Sequence, residues 1–271
     1  CDNVAAATTR WVFRNAVLEE MVPIEIVAPP SGPILLSAMG DQGGFRHDSL
    51  TVSPPSGFYM PDVGTTLSID YAELLPTKIV KAYNSPSPYG AYSTNSGTSW
   101  TNFSAPPGGS GGGSKAIAIS ADGSRIVWAP SGGSVYYSTN NGSSWGTCGG
   151  LTGGFYPESD RVNSNKFYYY HAVNGRLFYS TNGGQTFTQS ATAYPTLPDY
   201  QSYNGSANTV FGREGDIWIT TGAGGLYRST DSGVTGTKVN SVTEAYAIGF
   251  GKASGAYPAI YLHGVVGGVL G

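Results

Sequence analysis

The chain has 271 residues, of which 11% are charged, and its formal net charge is −3. Without a basic excess we expect no nucleic-acid partner, and because no apolar run approaches about 18 residues we expect no membrane partner. The 40 Gly, 17 Pro and 19 Tyr residues favour short strands and tight turns over helices. Low charge with abundant Tyr, Gly and Ser is typical of secreted proteins, so we expect an extracellular location.

The first half of the chain reads as three units of short strands. A unit at about 21–53 has predicted strands at 24–28 and 34–39. The next, at about 65–104, has predicted strands at 65–72, 78–84, 89–94 and 99–103. The third, at about 114–150, has predicted strands at 115–120, 125–130 and 134–139, with a last strand near Trp145. Such short β-rich runs, bounded by turn residues, are typical of small antiparallel sheets.

Three more units follow. The fourth, at about 151–190, has predicted strands at 166–172 and 176–181 around Asn174-Gly175, which is a strong hairpin signal. The fifth, at about 197–240, has predicted strands at 216–221 and 225–230. The last, at 244–271, is partial, with predicted strands at 245–250 and 259–265.

One phrase recurs in four of these units, and we call it the box. It reads STNSGTSW at 93–100, STNNGSSW at 138–145, STNGGQTF at 180–187 and STDSGVTG at 229–236. The starts at 93, 138, 180 and 229 are spaced by 45, 42 and 49 residues, which matches one four-stranded propeller blade. We expect the box to form a hairpin turn at the blade periphery. Its Asn or Asp caps the turn through the side chain, and its Gly adopts a positive φ.

The repeat predicts an all-β fold, a β-propeller of four-stranded blades in a single domain at 1–271. A seven-bladed ring at ~45 residues per blade needs about 315 residues. We therefore expect an incomplete ring of about five to six blades, in a chain that is part of a larger protein.

Asp41 is the best candidate for chemistry. It lies in MGDQGGFRH at 39–47, directly after a predicted strand, and the neighbouring glycines Gly43 and Gly44 leave room for a ligand to approach. Arg46 and His47 are either sugar ligands or a solvated edge, and a plain turn aspartate is the alternative for Asp41. Because the His residues show no paired spacing with Cys or carboxylates, we expect no metal site and no cofactor.

Other polar and aromatic side chains have structural interpretations. A turn or capping role is expected for six carboxylates: Asp70, Glu73, Asp160, Glu214, Asp216 and Glu244. Six aromatic residues are either sugar-stacking platforms or, for most of them, core: Phe45, Tyr59, Tyr71, Trp128, Tyr168 and Trp218. Cys1 and Cys148 either pair or remain two thiols.

Four stretches, at 18–50, 159–170, 212–233 and 242–262, closely resemble glycoside hydrolase family 74. The resemblance implies two seven-bladed propellers that face each other across a cleft holding xyloglucan, a branched β-1,4-glucan. It implies inversion at the anomeric carbon, with one catalytic aspartate from each propeller. This chain resembles most of the C-terminal propeller, with Asp41 at the catalytic position and Gly43, Gly44, Phe45, Arg46 and His47 beside the substrate. Inversion requires carboxyls about 6.5–9.5 Å apart, and we favour the general-acid role for Asp41.

The sequence departs from the family in three ways. The N-terminal propeller is absent, so this chain alone is expected to be inactive. Asn95, Asn140 and Asn182 replace the usual box aspartate, and Gly236 replaces the fourth box aromatic, which is expected to weaken closure of that blade. Two other hypotheses stay open: a non-catalytic glucan-binding propeller, and a sialidase-like propeller, which would need an arginine cluster and a Tyr/Glu pair.

Overall fold

Six antiparallel sheets make up the fold in a computed structural model, which describes residues 21–107, 116–131, 134–151, 156–253 and 255–271. Blade 1 contains β1 (Pro23–Val27), β2 (Leu35–Met39) and β3 (Gly43–His47). Blade 2 contains β4 (Thr66–Ala72), β5 (Leu75–Tyr83), β6 (Gly90–Ser93) and β7 (Thr101–Asn102). Blade 3 contains β8 (Ile117–Ile119), β9 (Ile126–Trp128), β10 (Tyr136–Ser138) and β11 (Gly146–Thr147).

The second half continues the same pattern. Blade 4 contains β12 (Pro157–Ser159), β13 (Phe167–His171), β14 (Arg176–Ser180) and β15 (Thr188–Ala193). A short 3-10 helix, Asp199–Asn204, leads into blade 5, which contains β16 (Gly205–Thr209), β17 (Ile217–Thr221), β18 (Leu226–Ser229) and β19 (Thr237–Lys238). Blade 6 contains β20 (Val242–Gly251), β21 (Ala259–Val266) and β22 (Val269–Leu270).

Each sheet is a simple meander whose strands pair in sequence order. Four blades have four strands, while blades 1 and 6 have three within the described residues. The predicted all-β propeller is confirmed. Among the described residues, no helix has the length and hydropathy needed to cross a membrane.

The core consists of apolar layers between successive blades. Between blades 2 and 3, Val80 and Ala82 pack against Ile117 and Trp128, all of them at most 3% exposed. At ~25 cal/mol per Å2 of buried apolar surface, such layers are the main source of stability in the fold. Cys148 lies in the next layer and forms no disulfide with any described residue, and burial raises the pKa of its thiol to about 12. Cys1 lies outside the described residues.

The box forms the turn between the third and fourth strands of its blade. In the first box, Ser93 Oγ accepts hydrogen bonds from the N–H groups of Asn95 and Gly97 and donates to Asn95 Oδ1. Asn95 Oδ1 also accepts the N–H of Ser99 at 3.0 Å, and its Nδ2 donates to Ser99 Oγ at 2.9 Å. The boxes at Asn140 and Asn182 repeat these bonds, so Asn makes the turn contact as predicted.

The fourth box closes differently from the expectation. A Cβ added to Gly236 would lie 2.4 Å from Tyr194 Oη, so Tyr194, from the end of blade 4, fills the space beside this glycine. The Tyr194 ring packs edge-on against Tyr227 of blade 5 at 5.2 Å. An aromatic ring from the preceding blade thus packs where the box lacks its own.

Antiparallel connectivity assigns turns to the two faces of the propeller. Turns between the second and third strands lie at one end of each blade, and the box turns lie at the opposite end. Asp41, between β2 and β3, is therefore on the face opposite the boxes. The innermost strands β1, β4, β12 and β16 begin on that same face.

Candidate functional site

Asp41 occupies the tip of the β2–β3 hairpin. Met39 pairs with Gly43, and Asp41 has a φ of 67°, in the left-handed region that Asp tolerates better than most residues. Its N–H donates to Thr65 Oγ1 at 3.0 Å, and the residue is exposed. Within the described part of the chain, its carboxyl oxygens accept no hydrogen bond. The fold thus fixes the backbone of Asp41 and leaves its carboxyl available.

Gly43 and Gly44 determine the shape of the hairpin. Gly44 has a φ of 125°, and a Cβ there would lie 1.9 Å from the carbonyl oxygen of Ser37 and 2.9 Å from Tyr59. Gly43 has a φ of 71°, and its Cβ would lie 3.3 Å from the Gly64 carbonyl oxygen. The two glycines are required for close backbone packing on the protein side. Their predicted contact with substrate stays a prediction.

The segment 43–47 is a strand, which the sequence analysis did not predict. Glycine is depleted in strands, so Gly43 and Gly44 give this segment a weak strand signal. Successive side chains of a strand point to opposite faces, so the predicted substrate-binding residues of β3 lie on two faces of the blade.

Phe45 and His47 share the face of blade 1 that is turned away from blade 2. Their rings are 5.9 Å apart, and with Met39 and Ser37 they line a cavity of about 310 Å3. His47 Nε2 lies 3.1 Å from Ser37 Oγ, and burial lowers the pKa of His47. Because β3 runs away from the Asp41 face at about 3.3 Å per residue, His47 lies several residues from the catalytic candidate.

Arg46 lies on the other face of the sheet and near the opposite end of the blade. Its Nε donates to the Ser96 carbonyl oxygen in the first box at 3.0 Å. Its guanidinium also forms an ion pair with Asp48 at 2.5 Å. The structure therefore brings Gly43 close to Asp41 but directs Arg46 towards the box face.

A group of charged side chains that was not predicted from the sequence lies around the propeller axis. Glu25 on β1, Asp70 on β4, and Glu158 and Arg161 on or after β12 line a cavity of about 330 Å3. Arg161 Nη1 lies 2.8 Å from Asp70 Oδ1, and Nη2 lies 3.6 Å from Glu158 Oε2. The prediction that Asp70 is a turn residue was therefore wrong. Asp70 lies within strand β4 and forms an ion pair with Arg161.

Burial dominates the electrostatics of this axial group. It raises the pKa of Glu25 to about 7 and that of Glu158 to about 8. Two acceptors also join blades: Glu25 Oε2 accepts the N–H of Ile69, and Asp70 Oδ2 accepts that of Ile119, each at 2.8 Å. An acidic residue inside the short apolar strand PIEIV was the available sequence signal. It became meaningful only once β1 was known to face the axis.

Most of the remaining predicted carboxylates are engaged in the scaffold. Asp160 caps the turn after β12 by accepting the N–H groups of Val162 and Asn163, which confirms its capping role. Asp216 closes the turn before β17, where its N–H donates to the Arg213 carbonyl oxygen, and its carboxyl forms a bidentate pair with Arg228 on β18.

Two exposed tyrosines lie on the same face as Asp41. Tyr156 directly precedes β12 and is 39% exposed. Tyr203 lies in the 3-10 helix that leads into β16 and is 69% exposed. With Leu67 they line a recess of about 220 Å3 beside the axial cavity. By contrast, five of the six aromatic residues singled out from the sequence are buried, as expected for most of them: Tyr59, Tyr71, Trp128, Tyr168 and Trp218.

Comparison with known proteins identifies close relatives, although no protein-family model matches the chain. A xyloglucanase from a Paenibacillus species is 41% identical over 88% of this chain and 24% of its own length. Xyloglucanase Xgh74A of Acetivibrio thermocellus is 40% identical over 100% of this chain and 32% of its own length. The solved structure of a GH74 enzyme from Niastella koreensis superposes with a TM-score of 0.82 at 38% identity, covering 93% of this chain and 36% of that one. The chain thus spans about a quarter to a third of its relatives.

Proposed function

Since this chain belongs to glycoside hydrolase family 74 over its own length, we propose that it supplies one catalytic carboxyl, Asp41, to an inverting endo-β-1,4-glucanase that hydrolyses xyloglucan. The N-terminal propeller of the same enzyme supplies the second carboxyl and the other wall of the cleft. Two relatives carry the name xyloglucanase. The observation that carries the proposal is the exposed Asp41 carboxyl, which accepts no hydrogen bond from the described residues, on a backbone held by Thr65.

Asp41 suits this role better than the axial carboxylates do. Asp70 is paired with Arg161, and Glu25 accepts a backbone N–H of the next blade, so both are committed to holding blades together. Asp41 lies at the end of a hairpin, where a polysaccharide can pass without entering the propeller. An endo-acting enzyme needs such open access along its substrate.

The general-acid role makes a demand that this chain does not meet alone. A catalytic acid is kept protonated by dry or negatively charged surroundings. An exposed turn offers neither, so the opposing propeller supplies them when substrate fills the cleft. We therefore expect the isolated chain to be inactive.

Tyr156 and Tyr203 are the proposed contacts for glucose rings away from the cleavage point. Each presents an apolar ring with a polar tip on the Asp41 face, and such side chains bind amphipathic surfaces well. Phe45 and Arg46 point elsewhere, so we place them outside the immediate reaction centre.

The test is hydrolysis of xyloglucan by the full-length enzyme and by Asp41→Asn, with Asp48→Asn as the matched control. Asp48 is another exposed aspartate after β3, and its loss breaks only a surface ion pair, worth little. Asp41→Asn is expected to lower kcat by about 10^2- to 10^4-fold, while Asp48→Asn keeps parental activity.

A second substrate distinguishes the acid from the base. An aryl xylogluco-oligosaccharide with a nitrophenolate leaving group needs no protonation to depart. If Asp41 is the acid, Asp41→Asn retains far more activity on this substrate than on xyloglucan. Equal losses on both substrates assign it the role of base. Glucan binding by the parent enzyme without any hydrolysis would favour the non-catalytic alternative.

A further inference from the structure

A buried lysine lies behind the Asp41 hairpin, in the interface between blades 1 and 2. Lys81, on β5, is 1% exposed, and its Nζ has no hydrogen-bond partner among the described residues. An unpaired ammonium in an apolar layer is costly, since burial removes its hydration. Within the described residues, aromatic faces and the negative charge of Asp62 offset part of this cost.

Three rings surround this ammonium. Its Nζ lies 4.6 Å from the centre of the Tyr59 ring, 4.5 Å from Trp100 and 5.9 Å from Tyr83. Tyr59 and Trp100 also contact each other edge to face at 5.1 Å. Cation–π attraction is strongest where water is excluded, so the ammonium fixes both the position and the tilt of Tyr59.

Tyr59 in turn holds the strand that follows Asp41. Its hydroxyl donates to the Phe45 carbonyl oxygen at 2.8 Å, and its N–H donates to the Gly44 carbonyl oxygen at 2.9 Å. Thr65 follows Tyr59 in the chain by six residues, and its Oγ1 accepts the N–H of Asp41. A continuous path of contacts therefore runs from Lys81 through Tyr59 to Gly44 and Phe45, which follow Asp41 in the chain.

We propose that Lys81 is a positioning residue for Asp41 and acts through Tyr59, which rests on the proposed function of Asp41. The charge is needed at this position because a neutral side chain would fill the space without orienting the rings. The charged and titratable groups around it are Asp62, Tyr59, Tyr83 and, beyond Tyr59, Arg46. Burial raises the pKa of both tyrosines. It lowers the pKa of Lys81 to about 7, with Asp62 opposing the shift, so the Lys81 ammonium is charged below about pH 7.

The test compares Lys81→Met and Tyr59→Phe in the full-length enzyme at about pH 6, below the pKa of Lys81 of about 7, with Lys78→Met as the matched control on the same strand. We expect Lys81→Met to lower kcat on xyloglucan by about three- to thirtyfold with KM unchanged, and its melting temperature to stay equal or rise. Tyr59→Phe, which keeps the ring and loses the hydroxyl, is expected to lower kcat without further loss in the double variant. Lys78→Met is expected to match the parent.

Hydrogen exchange of the Phe45 and Tyr59 amides provides a readout that does not depend on catalysis. Faster exchange at these amides in Lys81→Met, together with the lower kcat, supports the proposal. Unchanged exchange, unchanged kcat, or a kcat loss that follows a lower melting temperature overturns it. If Asp41→Asn remains active, the assignment of Asp41 itself fails, whatever the exchange shows.

Discussion

Replacing Glu158 by Gln is expected to stabilise the propeller at alkaline pH and to leave its stability at acidic pH unchanged. Burial raises the pKa of Glu158 from 4.5 to about 8; Arg161 opposes this shift, and Asp70 and Glu25 add to it. The folded state therefore favours the protonated acid. Its contribution to stability is complete below pH 4.5 and is lost as the pH rises to about 8. Gln, which is always neutral, does not suffer this loss.

The size of the effect follows from the same pKa values. At about 1.36 kcal/mol for each pH unit, the interval from 4.5 to 8 corresponds to about 5 kcal/mol. The Glu158 side chain keeps 30% exposure towards the axial cavity, so solvent screening reduces the expected difference to about 2 kcal/mol.

The assay is urea unfolding of parent and variant at pH 4.5 and pH 8.5, which cancels pH effects shared by both proteins. Glu214→Gln serves as the control because Lys166 and Asn163 lower the pKa of Glu214. The hydrogen bonds of ionised Glu214 to Lys166 and Asn163 stabilise the fold above the unfolded pKa, and this contribution is lost as the pH falls. Glu214→Gln is therefore expected to cost stability at high pH, which is opposite in sign to the effect of Glu158→Gln. A Glu158→Gln advantage that is equal at both pH values, or absent, would refute the electrostatic reasoning.

Three further substitutions test the scaffold and the binding face. Gly44→Ala places a Cβ against the Ser37 carbonyl oxygen and is expected to cost about 3 kcal/mol or more; a melting-temperature change within 2 °C would contradict this. Asn140→Asp is expected to change the free energy of unfolding by less than about 0.5 kcal/mol, because Ser144 Oγ, now an acceptor, can donate instead; urea titration checks it. Tyr203→Ala is expected to raise KM for xyloglucan several-fold without lowering the melting temperature, since the side chain is 69% exposed, and steady-state kinetics decide.

The repeat made the blades predictable because each strand pairs with its neighbours along the chain. Strand β13 was expected at 166–172 and lies at Phe167–His171, and its hairpin turns at Gly175 with a φ of 58°. Local turn chemistry and apolar runs suffice for such elements. Strand β3 was not predicted because its first two residues, Gly43 and Gly44, are glycines, which are depleted in strands.

Contacts between blades could not be predicted in the same way. Glu25 binds the N–H of Ile69, 44 residues away, and Tyr194 packs beside Gly236 in the next blade. No local pattern marks such partners, since the axis and the blade interfaces exist only after the ring has assembled. Lys81 likewise reads as an ordinary strand lysine until Tyr59 and Trp100 surround it.

The catalytic role of Asp41 stays a prediction, and the structure gives only its position, at the tip of a hairpin on the face opposite the boxes. The prediction that Arg46 lies beside the substrate assumed that adjacent residues share a location. In a strand, neighbouring side chains point to opposite faces, and Arg46 instead contacts Ser96 of the box face.

The most direct test of the central claim is the turnover of xyloglucan by the full-length enzyme carrying Asp41→Asn, measured as reducing ends released under saturating substrate. A loss of at least about 100-fold in kcat, with an unchanged melting temperature, is the result expected for a catalytic carboxyl. Activity within tenfold of the parent enzyme would show that Asp41 is only a turn residue of the β2–β3 hairpin.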